Sequence, residues 1–321
     1  MRNSEDLRTL IEQEIRELSY PENPRSLYAP IEYIMKLKAK RMRPILVLMA
    51  HQLYDENIEK AMSPALAVEI FHTFTLLHDD IMDNASLRRG STTVHEKWDK
   101  NIAILSGDTM VVQAYKLITS VDNSILKYVL DTFNKAAGQV CEGQQQDMSF
   151  ESKADVSLSE YMQMIEHKTA VLLAAALKIG GITAGASVED QNHLYEFGKN
   201  IGIAFQLRDD FLDAFGSSDL FGKKLGGDII ANKKTFLYLK AMQLADIDSK
   251  KNLKSLFLET GFSEAKIKTV KKIFQQFNVP KHTTDMMRSY YIKALKHLDA
   301  IESQNKTPLI QFSRTLMDRI S

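Results

Sequence analysis

The sequence predicts an all-α fold, a single large helical bundle around a central cavity, and three observations lead there. The seven prolines fall at 21, 24, 30, 44, 64, 280 and 308, so none lies between Pro64 and Pro280. Proline removes a backbone donor and clashes with the preceding turn, so a gap of that length is what stacked helices leave behind. No alternating apolar and polar run bounded by turn residues reads as a strand. Helical spacing is plain from the start of the chain, where Leu7, Leu10, Ile11, Ile15 and Leu18 of "LRTLIEQEIREL" form one stripe.

Going along the chain, an apolar run ending in Leu77 leads into "HDDIMD", and the polar stretch "DNASLRRGSTT" after it reads as a loop. "FESKADVSLS" interrupts the middle of the chain, and "AVLLAAAL", Ala170 to Leu177, is its most apolar segment. That run is far short of the ~20 residues a membrane span needs. A further helix leads into "LRDDFLD", followed by the Gly-rich "AFGSSDLFGKKLGGD" with Lys223 and Lys224. No linker composition or low-complexity tract divides the chain, which reads as a single domain over residues 1–321.

With 321 residues and 44% hydrophobic content there is material for a substantial core. Lys plus Arg and Asp plus Glu are 41 each, so no global field recruits nucleic acid or an acidic membrane surface. The one cysteine, Cys141, excludes an intrachain disulfide framework and suits a reducing compartment. The charged N-terminal stretch lacks the apolar core of a signal peptide. The expectation is a soluble cytoplasmic protein.

Charge is concentrated locally instead. "LHDDIMD" and "LRDDFLD" share the frame Leu-x-Asp-Asp-x-x-Asp, with Asp79, Asp80 and Asp83 in the first and Asp209, Asp210 and Asp213 in the second. On a helix, residues four apart lie one turn apart on the same face, so Asp79 and Asp83 converge while Asp80 turns to the flank. Two such helices facing one another would line a cavity with up to six carboxylates, which at short range cannot all stay ionised without cations. Mg²⁺ suits them, since it takes oxygen ligands and is usually held by one or two carboxylates plus substrate phosphates. A single acidic triplet is an ordinary solvated helix face; two in one frame, each after an apolar stripe, point to a site. "KAKRMRP" (Lys40, Arg41, Arg43) and "LRRG" (Arg88, Arg89) supply the cations a phosphate needs. No P-loop and no GxGxxG fingerprint is present, so the phosphate is held some other way. His51 and His95 read as structural.

On these residues the chain resembles the trans-isoprenyl diphosphate synthases, the head-to-tail prenyltransferases. The matching motifs, in family order, are "KAKRMRP", "HTFTLLHDDIMDNASLRRG", "GQQQD", "HKTA", "FQLRDDFLD" and "GKKLGGDIIANKKT", from about Lys40 to the C-terminal helices. The resemblance implies condensation of isopentenyl diphosphate with an allylic diphosphate (dimethylallyl, geranyl or farnesyl). It implies three Mg²⁺ ions, ligated by Asp79, Asp83 and Asp209 with Asp80, Asp210 and Asp213 completing or supporting the shell. Lys168, Lys224 and Lys233 would contact the allylic diphosphate. Lys40, Arg43, His72 and Arg89 would form the pocket for isopentenyl diphosphate, with Arg88 between the two. Thr169 and Gln206 would place oxygens near the forming carbocation, with Gln144 and Asp147 close by. A homodimer is also implied. One departure is visible, in that Lys38 and Ala39 stand where the family usually has small residues.

Phe71, Phe74 and Thr75 bear on product length. Phe74 precedes Asp79 by five residues, ~7.5 Å along a helix, and Phe71 lies at ~12 Å. A ring projecting into the path of the growing chain stops elongation, although Phe71 can equally be plain core. In the resembled family an aromatic at the Phe74 position marks short-chain enzymes, and the small Thr75 with no insertion in "DDIMD" favours a twenty-carbon product over a fifteen-carbon one. A class I terpene cyclase shares the first motif, but its second mixes Asn/Asp with Ser/Thr and Glu, and it needs no second diphosphate pocket. Squalene-synthase-type condensation joins two allylic substrates. A non-catalytic subunit of a heteromeric synthase typically loses part of a motif, and both are complete here.

Overall fold

Helix α1 (Ser4–Glu17) starts where Asn3 accepts from the N–H groups of Glu5 and Asp6 while the Asp6 carboxylate takes the Asn3 N–H, a reciprocal cap that satisfies otherwise orphaned donors. Its buried residues, Leu7, Ile11 and Ile15, are the centre of the stripe read from the sequence. The structure is a computed structural model, and it describes residues 2–216, 226–303 and 305–317. The chain divides into two compact units.

The first unit comprises Met1–Asn134, Ala175–Leu194 and Glu302–Leu309. It contains α1, α2 (Arg25–Lys36), α3 (Met42–His51), α4 (Glu59–Met82), the four-residue α5 (Val94–Lys97), α6 (Lys100–Ile118) and the start of α7 (Asn123–Ser152). Helix α4 packs along α3 and α6 and is buried on every side between Pro64 and Phe71, which is why it shows no amphipathic stripe. Pro44 sits in the first turn of α3, where its missing N–H costs nothing. Pro30 and Pro64 lie inside α2 and α4, each the sixth residue of its helix, so the bond lost falls in the second turn. His51 is buried, with Nδ1 2.9 Å from Thr183 Oγ1 and Nε2 3.0 Å from the Asn57 carbonyl, in the structural role expected of it.

The loop after α4 contains an element the sequence did not announce. Strands β1 (Leu87–Arg88) and β2 (Ser91–Thr92) pair antiparallel, Leu87 opposite Thr92 and Arg88 opposite Ser91. Two residues are too few to show alternation. Arg89 and Gly90 between them are both left-handed (φ 53° and 78°), as a two-residue hairpin turn requires.

The second unit comprises Lys135–Ala174, Tyr195–Ile301 and Ile310–Ser321. Its helices include α8 (Leu158–Ile165), a π-helical turn (Glu166–Ala170), the start of α9 (Val171–Thr183) and most of α10 (Val188–Phe215). Then follow α11 (Gly227–Ile230), α12 (Phe236–Leu244), α13 (Ile247–Leu256), α14 (Glu264–Gln276), α15 (Val279–Ala300) and α16 (Thr307–Met317). Phe150, Tyr161, Leu207, Phe236, Leu253, Val270, Phe274 and Met287 are among the residues of its core. Every residue from Ala170 to Leu177 is buried, which accounts for that apolar run. No described helix is long and apolar enough to cross a membrane.

Candidate active site

In the first unit the candidate residues gather at two places on α4. At its C-terminal end Asp79 and Asp83 stand one turn apart, tied by the bond from the Asp83 N–H to the Asp79 carbonyl (2.8 Å); Asp79 is half-buried and Asp83 exposed. Asp80 points inward at 1% exposure and accepts from Arg88 Nε at 2.9 Å and also from Nη2. The Asp80 carbonyl takes the Ala85 N–H (2.9 Å), so Asp80 fastens the turn and the hairpin that carries Arg88 and Arg89.

Further back on α4, Glu69 and His72 line a cavity of about 370 Å³ together with Arg8, Lys38, Ala39, Lys40, Arg41, Met42, Arg43 and Arg89. Arg41 is not a ligand of this cavity. Its left-handed backbone (φ 49°) turns the side chain into the interior. There it bonds Glu12 (2.8 Å), Glu69 (2.7 Å) and the Met35 carbonyl (2.5 Å). That leaves the neighbouring Arg43 to bond His72 Nε2 at 2.8 Å while its own Nε is buried without a partner in the protein. Burial, partly opposed by Glu69 and reinforced by Arg89, pulls the Arg43 pKa down to about 10. Burial and then the guanidiniums of Arg43, Arg89, Arg88 and Arg41 push His72 well below the usual histidine range. A buried cation with an unsatisfied donor is expensive, and an anion entering the cavity would relieve it.

Two of the lining cations were not assigned to the site by the sequence reading. Arg8 comes from α1, one turn before the Glu12 that braces Arg41, and Lys38 is one of the departures from the family pattern. The signal for Arg8 was its place beside the buried stripe of α1.

Phe71 is buried, edge-on to Phe133 at 5.3 Å, and lies 5.5 Å from Phe74. Phe74 is half-buried and packs on His78 at 4.7 Å; Thr75 turns its hydroxyl to the His72 carbonyl (2.8 Å).

In the second unit a cavity of about 210 Å³ is lined by residues of four motifs, among them Asp147, Lys168, Thr169, Gln206, Asp210 and Lys233. Lys168 and Thr169 lie in the π-helical turn, a departure from α geometry that recurs at functional sites. Glycines on two neighbouring helices make room for it: a Cβ at Gly143 would lie 2.3 Å from Lys168 N, and one at Gly202 2.6 Å from Ala170 Cα. Lys168 Nζ meets Asp147 Oδ2 at 2.5 Å, and the Thr169 hydroxyl donates to Gln206 Oε1 at 3.0 Å. Gln144, one turn before Asp147, is not among the lining residues.

The second aspartate motif ends α10. Asp209 is partly exposed and accepts from Arg208 Nη2 at 2.9 Å. Asp210 is 4% exposed and accepts from the Tyr161 hydroxyl and from Gln206 Nε2 (3.0 Å). Burial, with Asp228 nearby, pushes its pKa up to about 8 against the pull of those two donors. Asp213 uses Oδ2 to accept the Asp228 N–H at 2.9 Å. Lys233 and Lys234 both line the cavity, but Lys234 spends its ammonium on the carbonyls of Phe150 (2.6 Å) and Lys153 (2.5 Å). Lys224 lies outside the described residues. Tyr161, Asp228 and Asn232 also line the cavity and were not picked out from the sequence; a buried tyrosine on an apolar helix face carries no mark of its partner.

Asp83 is exposed, Asp79 and Asp209 are half-buried, and each offers carboxylate oxygen. Among the described residues no three His, Cys, Asp or Glu side chains already converge as a metal cage. Carboxylate oxygens of this kind suit Mg²⁺, which keeps waters and takes substrate phosphates for its remaining positions.

An all-α architecture with cation-lined cavities beside two aspartate-rich helix ends is that of the isoprenoid synthases. Comparison with known proteins agrees. The polyprenyl synthetase family model matches residues 24–276. A geranylgeranyl diphosphate synthase of Methanosarcina mazei is 39% identical over 235 residues, 73% of this chain and 72% of that protein. A geranylfarnesyl diphosphate synthase of Natronomonas pharaonis is 38% identical, covering 73% of this chain and 74% of its own. A crystal structure of a geranylgeranyl pyrophosphate synthase superposes with a TM-score of 0.95 at 44% identity, over 99% of both chains. The chain belongs to the polyprenyl synthetase family and is a prenyltransferase.

Proposed function

We propose that this prenyltransferase condenses isopentenyl diphosphate with an allylic diphosphate, using Mg²⁺, to give mainly the twenty-carbon geranylgeranyl diphosphate. The observation that carries the two-substrate reading is Arg43. Its Nε is buried without a partner, and the residue lines a cation-rich cavity made by residues other than those around Lys168 and Lys233. A cyclase, which handles one diphosphate, has no use for it. The names of the Methanosarcina mazei relative and of the superposed structure support the twenty-carbon product.

In this reading Arg43, Lys40 and Arg89 hold the diphosphate of isopentenyl diphosphate, while His72 keeps the Arg43 guanidinium in place. Lys168 and Lys233 hold the allylic diphosphate, with Lys224 assigned there from the resemblance alone. Asp79, Asp83 and Asp209 would hold Mg²⁺, three ions by the resemblance, and the metal would supply the charge that stabilises the departing diphosphate. Asp80, Asp210 and Asp213 act from behind through the bonds described above. Thr169 and Gln206 present oxygen lone pairs to the allylic carbocation, and the apolar surroundings keep water from it. The alkene attacks, and the released diphosphate takes the proton, so no side-chain base is required.

This reading assigns groups of both units to one reaction, and the family match, which runs through both, supports it. A homodimer is supported by α6, which leaves Ile104, Leu105 and Val112 exposed; sedimentation of the Leu105→Lys variant tests it. One cysteine and balanced charge suit the cytoplasm. The deciding experiment incubates the purified chain with labelled isopentenyl diphosphate and each of dimethylallyl, geranyl and farnesyl diphosphate. A twenty-carbon product is expected from all three. No consumption of isopentenyl diphosphate would overturn the condensation, and a product of another length the chain-length assignment.

A further inference from the structure

Lys266 buries a charge in a place where neither aspartate motif needs one. It lies in the first turn of α14 and is 2% exposed. Its Nζ donates to Asn232 Oδ1 at 2.6 Å and to the Glu259 carbonyl at 3.0 Å. Asn232 Nδ2 donates to that same carbonyl at 3.0 Å, closing a triangle of three bonds. Sinking an ammonium into a protein is costly unless it is bonded, and an apolar side chain of similar volume often serves stability as well or better. The bonds therefore matter for what they hold.

They hold the residue before Lys233. Asn232 has φ 57°, a left-handed conformation that reverses the chain after α11, and the Lys233 N–H then bonds back to the Asp228 carbonyl at 2.9 Å. The next residue of α14, Ile267, lies against Gly226 at the start of α11, where a Cβ would come within 3.0 Å of Ile267 Cγ2. On its other side α11 is tied to Asp213, whose carbonyl takes the Gly226 N–H at 2.7 Å and whose carboxylate takes that of Asp228. A four-residue helix cannot fix its own position; consecutive residues of α14 and one aspartate of α10 do so.

We propose that Lys266 is a positioning residue for the prenyl transfer. By holding the Asn232 carboxamide it sets the turn from which Lys233 reaches the allylic diphosphate. This rests on the reading of Lys233 as a ligand of that diphosphate. Lys266→Met keeps the volume and removes the donors. It is expected to lower kcat/KM for the allylic substrate about 10–100-fold, the scale of an ångström-level misplacement, with the KM for isopentenyl diphosphate unchanged. Asn232→Gly allows the left-handed turn but removes the carboxamide, and should reproduce the same loss even if Lys266→Met folds poorly.

Both changes are then repeated in a Lys233→Met background, with melting temperatures recorded throughout. If Lys266 acts through Lys233, neither change costs further activity there. Equal losses with and without Lys233 would reduce Lys266 to a structural role and overturn the proposal. So would full activity of both single variants while Lys233→Met is impaired. Full activity of Lys233→Met itself would instead remove the reading of Lys233 on which the proposal rests.

Discussion

Arg88 reaches back eight residues to set both Nε (2.9 Å) and Nη2 on one oxygen of Asp80. The middle residue of the first aspartate motif is thereby engaged from within the protein, while Asp79 and Asp83 remain at the surface end of α4. Asp80 thus has a partner that fixes it within the fold, and substitution should separate it from the metal-binding role proposed for Asp79.

Asp79→Asn is expected to lower kcat by about 10²–10³-fold, the usual cost of one group that stabilises developing charge. Its stability should fall less than that of Asp80→Ala, because Asp79 is only half-buried. Asp80→Ala should cost about 1–3 kcal/mol, because it strands a partly buried guanidinium. Urea unfolding and single-turnover assays on both variants read the two effects; equal stability losses would show that Asp79 is as structural as Asp80.

Arg43→Met removes the guanidinium whose Nε has no partner in the protein. The KM for isopentenyl diphosphate should rise about 100-fold, ~2.7 kcal/mol, within the range for truncating one side of a buried charged contact. The KM for the allylic substrate should hold. Initial rates with each substrate varied in turn make the comparison, and a rise in the allylic KM alone would reverse the assignment of the two cavities.

Stability should fall with acid through His72. Arg43 has only donors, so its 2.8 Å contact leaves His72 Nε2 to accept, which requires a neutral ring. Its pKa in the fold is lowered, first by burial and then by the surrounding guanidiniums. Below the ordinary histidine pKa of about 6.5 the unfolded chain takes a proton that the fold refuses, so stability present above that pH is lost as pH falls. The loss is up to about 1.4 kcal/mol per pH unit from this site. His72→Gln retains an acceptor for Arg43 without the titration. Urea midpoints between pH 7 and 5.5 should therefore fall less steeply in the variant; parallel curves would mean that His72 protonates freely in the fold.

Product length should answer to Phe74 more than to Phe71. Phe71 is locked edge-on to Phe133, while Phe74 is half-buried against His78. Phe74→Ala should lengthen the products and Thr75→Phe shorten them, as read by chromatography of the dephosphorylated alcohols. Phe71→Ala should chiefly cost stability, about 3–5 kcal/mol. An unchanged distribution for an active Phe74→Ala would place the limit on elongation elsewhere.

Helix content, both aspartate motifs and the cations around them were legible because spacing along one helix is a local property. Partnership across the chain was not. Arg41 and Arg43 are two residues apart in one basic run, yet Arg41 is absorbed by Glu69 and Glu12. Nothing in "KAKRMRP" says which cation faces inward, because that depends on a left-handed backbone at Arg41 and on carboxylates from α1 and α4. Tyr161 and Lys266 were invisible for the same reason, since their partners lie 49 and 34 residues away. The hairpin that carries Arg88 and Arg89 was too short to leave a pattern, and the π-helical turn at Lys168 depends on the room left for it by neighbouring helices.

That room has a hereditary side. The turn bearing Lys168 and Thr169 abuts Gly143, where a Cβ would stand 2.3 Å from backbone, and Gly202, where it would stand 2.6 Å away. A change from glycine to alanine takes one nucleotide and adds a single methyl group. At either place it would press the turn out of register while every side chain that meets a substrate stayed as encoded. The lineage of this enzyme can therefore lose its chemistry through codons that specify no reactive group, and a survey of natural variants confined to the charged motifs would overlook them.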